Sequence, residues 1–91
     1  MRIHTFAHAG DGNLHPIVAH DREAPAAVRR AGNDLFALAL DLGGTVTGEH
    51  GVGVLERNWL PREAGPEVIA VHAALKSALD PRRILNPGTG F

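Results

Sequence analysis

The sequence predicts an α+β fold, a β-hairpin followed by two main helices. Two short β-favouring runs, residues 2–8 and 14–20, flank an Asp11-Gly12 turn signal. Apolar residues then recur at threes and fours along two later stretches, each opened by a proline. A glycine-rich segment separates those stretches.

The hairpin comes first. A type I′ turn needs positive φ at both central residues, and Asp-Gly suits it. With Asp11 and Gly12 as the loop, Gly10 pairs with Asn13, Ala9 with Leu14 and His8 with His15. The two imidazoles then stand directly opposite on one face, their Cβ atoms roughly 4.5–5.5 Å apart. Both rings reach one ion at that spacing, since a zinc–imidazole bond is about 2.0–2.1 Å. A one-residue slip would put them on opposite faces. Pro16 faces Ala7 in this register, which places residues 14–20 at a sheet edge. His4 and Phe6 share the face of His8, while Ile3, Thr5 and Ala7 take the other. That incomplete alternation predicts cover on both faces. His4 and His20 read as ordinary strand-end residues.

Asp21 to Ala24 is polar and turn-like. Pro25 suits the first turn of a helix, where its missing donor costs little. From Ala26 to Leu42 the stripe is Val28, Ala31, Leu35, Leu38 and Leu42. Gly43-Gly44 ends the helix in a left-handed cap. Five glycines fall within the eleven residues 43–53, so this backbone must bend or approach something closely. No G-x-G-x-x-G follows a strand, which excludes a Rossmann dinucleotide site. Glu49 and His50 are the chemically active pair here. In extended backbone neighbours point in opposite directions, so Glu49 faces one partner and His50 another.

Leu55 to Leu60 predicts a short helical turn around Trp59, broken by Pro61. Gly65-Pro66 opens the second helix with Pro66 at its first position. Val68, His72, Leu75 and Leu79 form its apolar stripe, beside Ile69, Val71 and Ala78. His72 reads as a packed core histidine. Asp80-Pro81 stops the helix. Residues 82–91 read as ordered turn, because Ile84 and Leu85 call for burial.

Composition narrows the function classes. Ninety-one residues make one domain at most, with a marginal core. The lack of cysteine rules out disulfides and thiolate metal sites and fits a reducing, cytoplasmic setting. Nine Lys and Arg face ten Asp and Glu, which speaks against nucleic acid or an anionic membrane as main partner. No apolar run approaches the roughly 20 residues of a membrane span, and no signal-peptide apolar region opens the chain. Two strands cannot bury both faces unaided. The hairpin and long helix therefore call for further partners, either more of the same protein or copies of this chain.

His8, His15 and Glu49 are the candidate metal ligands. Two imidazoles and a carboxylate hold a divalent ion and leave positions for substrate or water. The set suits zinc, iron or manganese. The alternative that the residues leave open is structural: the opposed histidines pair with Asp11 or with main-chain carbonyls.

Three motifs carry a family resemblance. His8-Ala9-Gly10-Asp11-Gly12-Asn13-Leu14-His15-Pro16 resembles the H-x-G-D-G-N-x-H motif in the C-terminal domain of FAD-linked oxidases. Gly43-Gly44-Thr45-Val46-Thr47-Gly48-Glu49-His50-Gly51-Val52-Gly53 is similar to that family's second motif. Leu75-Lys76-x-x-Leu79-Asp80-Pro81, with Ile84-Leu85-Asn86-Pro87-Gly88, resembles its C-terminal signature.

The resemblance implies that residues 1–91 are the last part of a ferredoxin-like C-terminal domain. It implies a flavoenzyme oxidising a 2-hydroxy acid of the glycolate, D-lactate or D-2-hydroxyglutarate type. Within it His8, His15 and Glu49 match the metal ligands. His50 matches the base that takes the hydroxyl proton, and Asn86 matches a residue near the flavin. Thr89 follows Gly88 where many relatives carry lysine, so no role is borrowed from that lysine. The FAD-binding domain and the arginine that would hold the substrate carboxylate are expected to lie outside these residues. The isolated chain is then expected to bind no FAD and to be inactive alone. A non-catalytic metal-binding or assembly module derived from that domain is the alternative.

Overall fold

A computed structural model describes residues 1–21 and 25–90. It contains β1 (Arg2–His8), β2 (Asn13–Ala19), α1 (Pro25–Asp41) and α2 (Leu60–Leu79), in that order. The class is α+β, as the sequence predicts. Of the turn expected at Asp21–Ala24, only Asp21 falls among the described residues.

β1 and β2 form a two-stranded antiparallel sheet. Their register differs by two residues from the expected one: His8 pairs with Asn13, Phe6 with His15 and Thr5 with Pro16. The reason lies in the turn. Gly12 is left-handed at φ 68°, but Asp11 is not, so a type I′ turn cannot form. Ala9 to Gly12 instead make a four-residue loop, closed by the Asp11 N–H donating to the His8 carbonyl at 3.1 Å. Side chains alternate with period two. A shift of two therefore keeps His8 and His15 on one face, diagonal rather than directly opposed. The expected cover on both faces is not seen: β1 is exposed along its whole length.

α1 begins at Pro25 and closes in a Schellman arrangement. The Gly44 N–H donates to the Ala39 carbonyl at 2.8 Å and the Gly43 N–H to the Leu40 carbonyl at 3.0 Å. Gly43 sits at φ 80°. The covered face of α1 runs through Val28, Ala31, Leu35 and Phe36, while Leu38 and Leu42 of the expected stripe are exposed. Phe36 is drawn inward by Trp59, whose ring lies 5.7 Å away. The indole N–H of Trp59 also donates to Asn33 Oδ1 at 3.3 Å.

Pro61 does not break a helical turn; it stands in the first turn of α2, where a proline lacks no needed donor. The turn around Trp59 runs on into α2. The helix is interrupted instead at Gly65, which is non-helical at φ 77° and ψ 166°, and Pro66 restarts it as expected. The partly covered face of the restarted helix is Ile69, His72 and Lys76, leading to Asp80. Val68, Val71, Leu75 and Leu79 of the expected stripe are exposed.

Val46 and Leu60 are the buried apolar side chains among the described residues. The glycine segment is tied to the start of α2, where Glu63 Oε2 accepts the Val46 N–H at 3.0 Å. The radius of gyration is 15.3 Å, against about 12 Å for a compact chain of this length. The fold is thus an open frame with a thin core. No helix among the described residues is long and apolar enough to cross a membrane.

Candidate metal centre

The hairpin contributes His8, Asn13 and His15 from one face. The glycine segment contributes Glu49 and His50. Glu49 and His50 are not in extended backbone; they are the middle residues of a turn closed by the Gly51 N–H donating to the Gly48 carbonyl at 3.3 Å. Gly51 supplies the left-handed exit at φ 74°. The turn removes the expected divergence of Glu49 and His50, and brings both side chains to the hairpin.

Glu49 Oε1 lies 3.5 Å from His8 Nε2 and 3.4 Å from His15 Nε2. One ligand atom each from His8, His15 and Glu49 falls within 4.8 Å of the others. Tetrahedral ligands on zinc, with bonds of about 2.0–2.1 Å, stand about 3.3 Å from one another. The two imidazole–carboxylate separations therefore match the edges of such a site. His15 Nε2 is buried and has no hydrogen-bond partner, which a buried ring nitrogen rarely tolerates. The donor chemistry and the spacing fit a divalent ion, with the Glu49 carboxylate as the neighbour of His15 Nε2.

Each candidate ligand is held differently. The His15 ring stacks on Phe6, centroids 4.9 Å apart and planes 15° from parallel. Its side chain is 17% exposed, against 59% for His8. His8 meets His15 edge-on at 5.1 Å. Its own backbone N–H, then the Asn13 amide and the nearby His15 and His50 side chains, hold the Glu49 carboxyl below the usual glutamate range, against the opposing effect of burial.

His50 Nε2 lies 3.8 Å from Glu49 Oε1, and its side chain is 82% exposed. Its ring centroid is 5.9 Å from that of His15. It stands at the mouth of the cluster, open to an incoming molecule. Asn86 does not join it. Asn86 is left-handed at φ 44°, and its carbonyl accepts from the Thr89 hydroxyl and N–H at 2.7 and 3.2 Å. The tail around it is tied to the glycine segment by the Gly90 N–H on the Gly53 carbonyl at 2.9 Å, and to the turn before α2 by Arg57 Nη1 on the Gly88 carbonyl at 2.8 Å.

Two residues that the sequence reading passed over shape the site. Asn13 donates from Nδ2 to Glu49 Oε2. Glu63 holds the segment leading into the turn through Val46. The strand parity that Asn13 shares with His15 was the available signal for the first; nothing local marks Glu63.

Comparison with known proteins places the chain in a family. The profile of the family described as FAD linked oxidases, C-terminal domain, matches residues 1–89. The glycolate oxidase subunit GlcD of Bacillus subtilis is 48% identical, over the whole chain and 20% of that protein. The mitochondrial D-lactate dehydrogenase (cytochrome) of Kluyveromyces lactis is 45% identical, over 92% of the chain and 15% of that protein. Escherichia coli GlcD is 36% identical, over 97% of the chain and 18% of that protein. The chain thus spans about a fifth or less of the length of these relatives. With its three motifs folded as a hairpin, a glycine turn and an anchored tail, the chain belongs to the family of FAD-linked oxidase C-terminal domains.

Proposed function

We propose that this chain supplies the metal-binding and acid–base part of an FAD-dependent enzyme that oxidises a 2-hydroxy acid to the 2-oxo acid. The observation that carries the proposal is the convergence of His8, His15 and Glu49, with His50 exposed beside them. The names of the relatives point to glycolate and D-lactate as the substrate class.

His8 and His15 would hold the ion through Nε2, and Glu49 through Oε1. A divalent ion supplies Lewis-acid polarisation of a substrate oxygen. FAD would supply the hydride acceptor for the substrate carbon. His50 takes the hydroxyl proton at Nε2, as an imidazole does well near neutral pH. Its exposure lets substrate reach it, and the Gly48–Gly51 turn fixes its distance from Glu49. The buried side of the cluster, at His15, would exclude water from one flank of the site. Asn86, in the anchored tail, would face the flavin.

A chimera tests this. Residues 1–91 replace the matching segment of the Bacillus subtilis relative, and the product is assayed with FAD for oxidation of glycolate and D-lactate. Turnover that is abolished in His50→Gln, with metal content unchanged, is the expected result. A chimera that holds flavin and metal but oxidises neither acid would sink the enzymatic role and leave a metal-binding module.

A further inference from the structure

We infer that Asn13 is a positioning residue for Glu49 and that Gly48 exists as glycine to admit it; this role rests on the metal site proposed above. Asn13 opens β2 and pairs directly with His8, so its side chain emerges on the imidazole face. It crosses to the glycine turn and donates from Nδ2 to Glu49 Oε2. Oε1, the other carboxylate oxygen, is the one that faces His8 and His15 at 3.5 and 3.4 Å. The amide thus occupies the oxygen the ion does not need and aims the oxygen it does.

Gly48 makes the crossing feasible. A Cβ there would stand 3.0 Å from Asn13 Oδ1, 3.1 Å from Nδ2 and 3.4 Å from Cγ. The amide therefore takes the space that a side chain at position 48 would fill. Gly48 has no left-handed φ, so its lack of a side chain answers a need for space rather than for conformation. By contrast Gly51 of the same turn has open space around it and φ 74°; its need is conformational. Two glycines three residues apart serve different ends, and only Gly48 touches the metal geometry.

A held carboxylate has lost its rotamer freedom before the ion arrives. Groups that orient metal ligands in this way change affinity about 10–100-fold when removed. Asn13→Ala removes the donor. Gly48→Ala keeps the donor but pushes it off Glu49, and lies outside the hairpin.

The experiment measures zinc binding to the 91-residue chain by calorimetry, for the parent, Asn13→Ala, Gly48→Ala and the double variant, with circular dichroism as the check on folding. Each single change is expected to weaken zinc about 10–100-fold. The double change is expected to be no worse than the weaker-binding single one, because both act through one hydrogen bond. Multiplying effects, or single variants that bind as the parent does, would overturn the role. A second readout needs no metal: the Asn13 side-chain amide resonance in the zinc-free chain. It is expected to move on Glu49→Ala and on Gly48→Ala, and an amide unmoved by both overturns the role by itself. A parent chain that takes up no zinc sinks the metal site, and the amide resonance still decides whether Asn13 holds Glu49.

Discussion

Phe6 and His15 are a directly paired cross-strand couple, and their rings lie stacked 4.9 Å apart. The pairing comes from the four-residue loop, which sets Phe6 rather than His8 opposite His15. Stacking thereby fixes the plane of the least exposed candidate ligand. Aromatic pairs contribute about 0.5–1.5 kcal/mol beyond area burial. Phe6→Ala is accordingly expected to weaken zinc binding by about twofold to tenfold, and Phe6→Leu by no less, since it restores bulk without a ring. Calorimetric titration checks this; His15→Ala, which removes the ligand, sets the scale for full loss.

Acid should release the ion. Imidazoles ligate only when neutral and carboxylates only when ionised. Zinc affinity is therefore expected to fall as pH falls, with protons taken up as the ion leaves. Glu49 is held below the usual glutamate range, and its contribution to folding follows from that depression. A depressed carboxyl pKa stabilises the fold above the unfolded value and is lost as pH falls through the folded one. Proton uptake by calorimetry in two buffers measures the first effect. A Glu49→Gln variant with the same affinity–pH profile as the parent at full strength would contradict the assignment of Glu49 as a ligand.

Two glycines of α1 and its cap should respond to alanine with opposite sign. Gly32 lies inside the helix with nothing within 4 Å of a built Cβ, so Gly32→Ala is expected to stabilise by about 0.8–1.0 kcal/mol. Gly43 is the left-handed residue of the Schellman closure, at φ 80°. Gly43→Ala is expected to destabilise by about 1 kcal/mol, because the substituted residue must adopt a conformation that L residues avoid. Urea unfolding midpoints of the two variants, compared with the parent, test both signs at once.

What the sequence made legible was whatever depends on parity and local chemistry. His8 and His15 share a face under either register, because a two-residue shift conserves the period-two alternation. Pro25, Gly43 and Pro66 mark helix ends by backbone constraints that need no tertiary context. The register itself was misread because Asp11-Gly12 suits both a two-residue and a four-residue loop. The arrival of Glu49 was not legible. It depends on a turn between two glycines, on the missing Cβ of Gly48, and on Asn13 reaching across 36 residues of chain. The helix faces turned away from their periodic stripes for a similar reason. Phe36 is covered because Trp59 lies against it, and no pattern within α1 reports where Trp59 goes.

The bend into the C-terminal tail is held by one buried carboxylate. Asp80 is 5% exposed and accepts from Lys76 Nζ at 2.6 Å, from the Ile84 N–H at 3.0 Å and from the Leu85 N–H at 3.1 Å. Lys76 Nζ also donates to the Leu85 carbonyl at 2.8 Å, so two side chains close the bend that leads to Asn86. The bond from Lys76, with the Ile84 and Leu85 amides, lowers the Asp80 carboxyl below the usual aspartate range, against the opposing pull of burial. The sign follows from that depression: the stabilisation is present above the unfolded pKa and lost as pH falls through the folded one. Asp80→Asn keeps the shape but turns an amide donor toward groups that are themselves donors. It is expected to melt at lower temperature than the parent near neutral pH, with the gap shrinking in acid as the parent's own carboxyl takes up its proton. Thermal melts across the acid range test this. A gap that stays constant into strong acid would show that the Asp80 charge does not hold the tail.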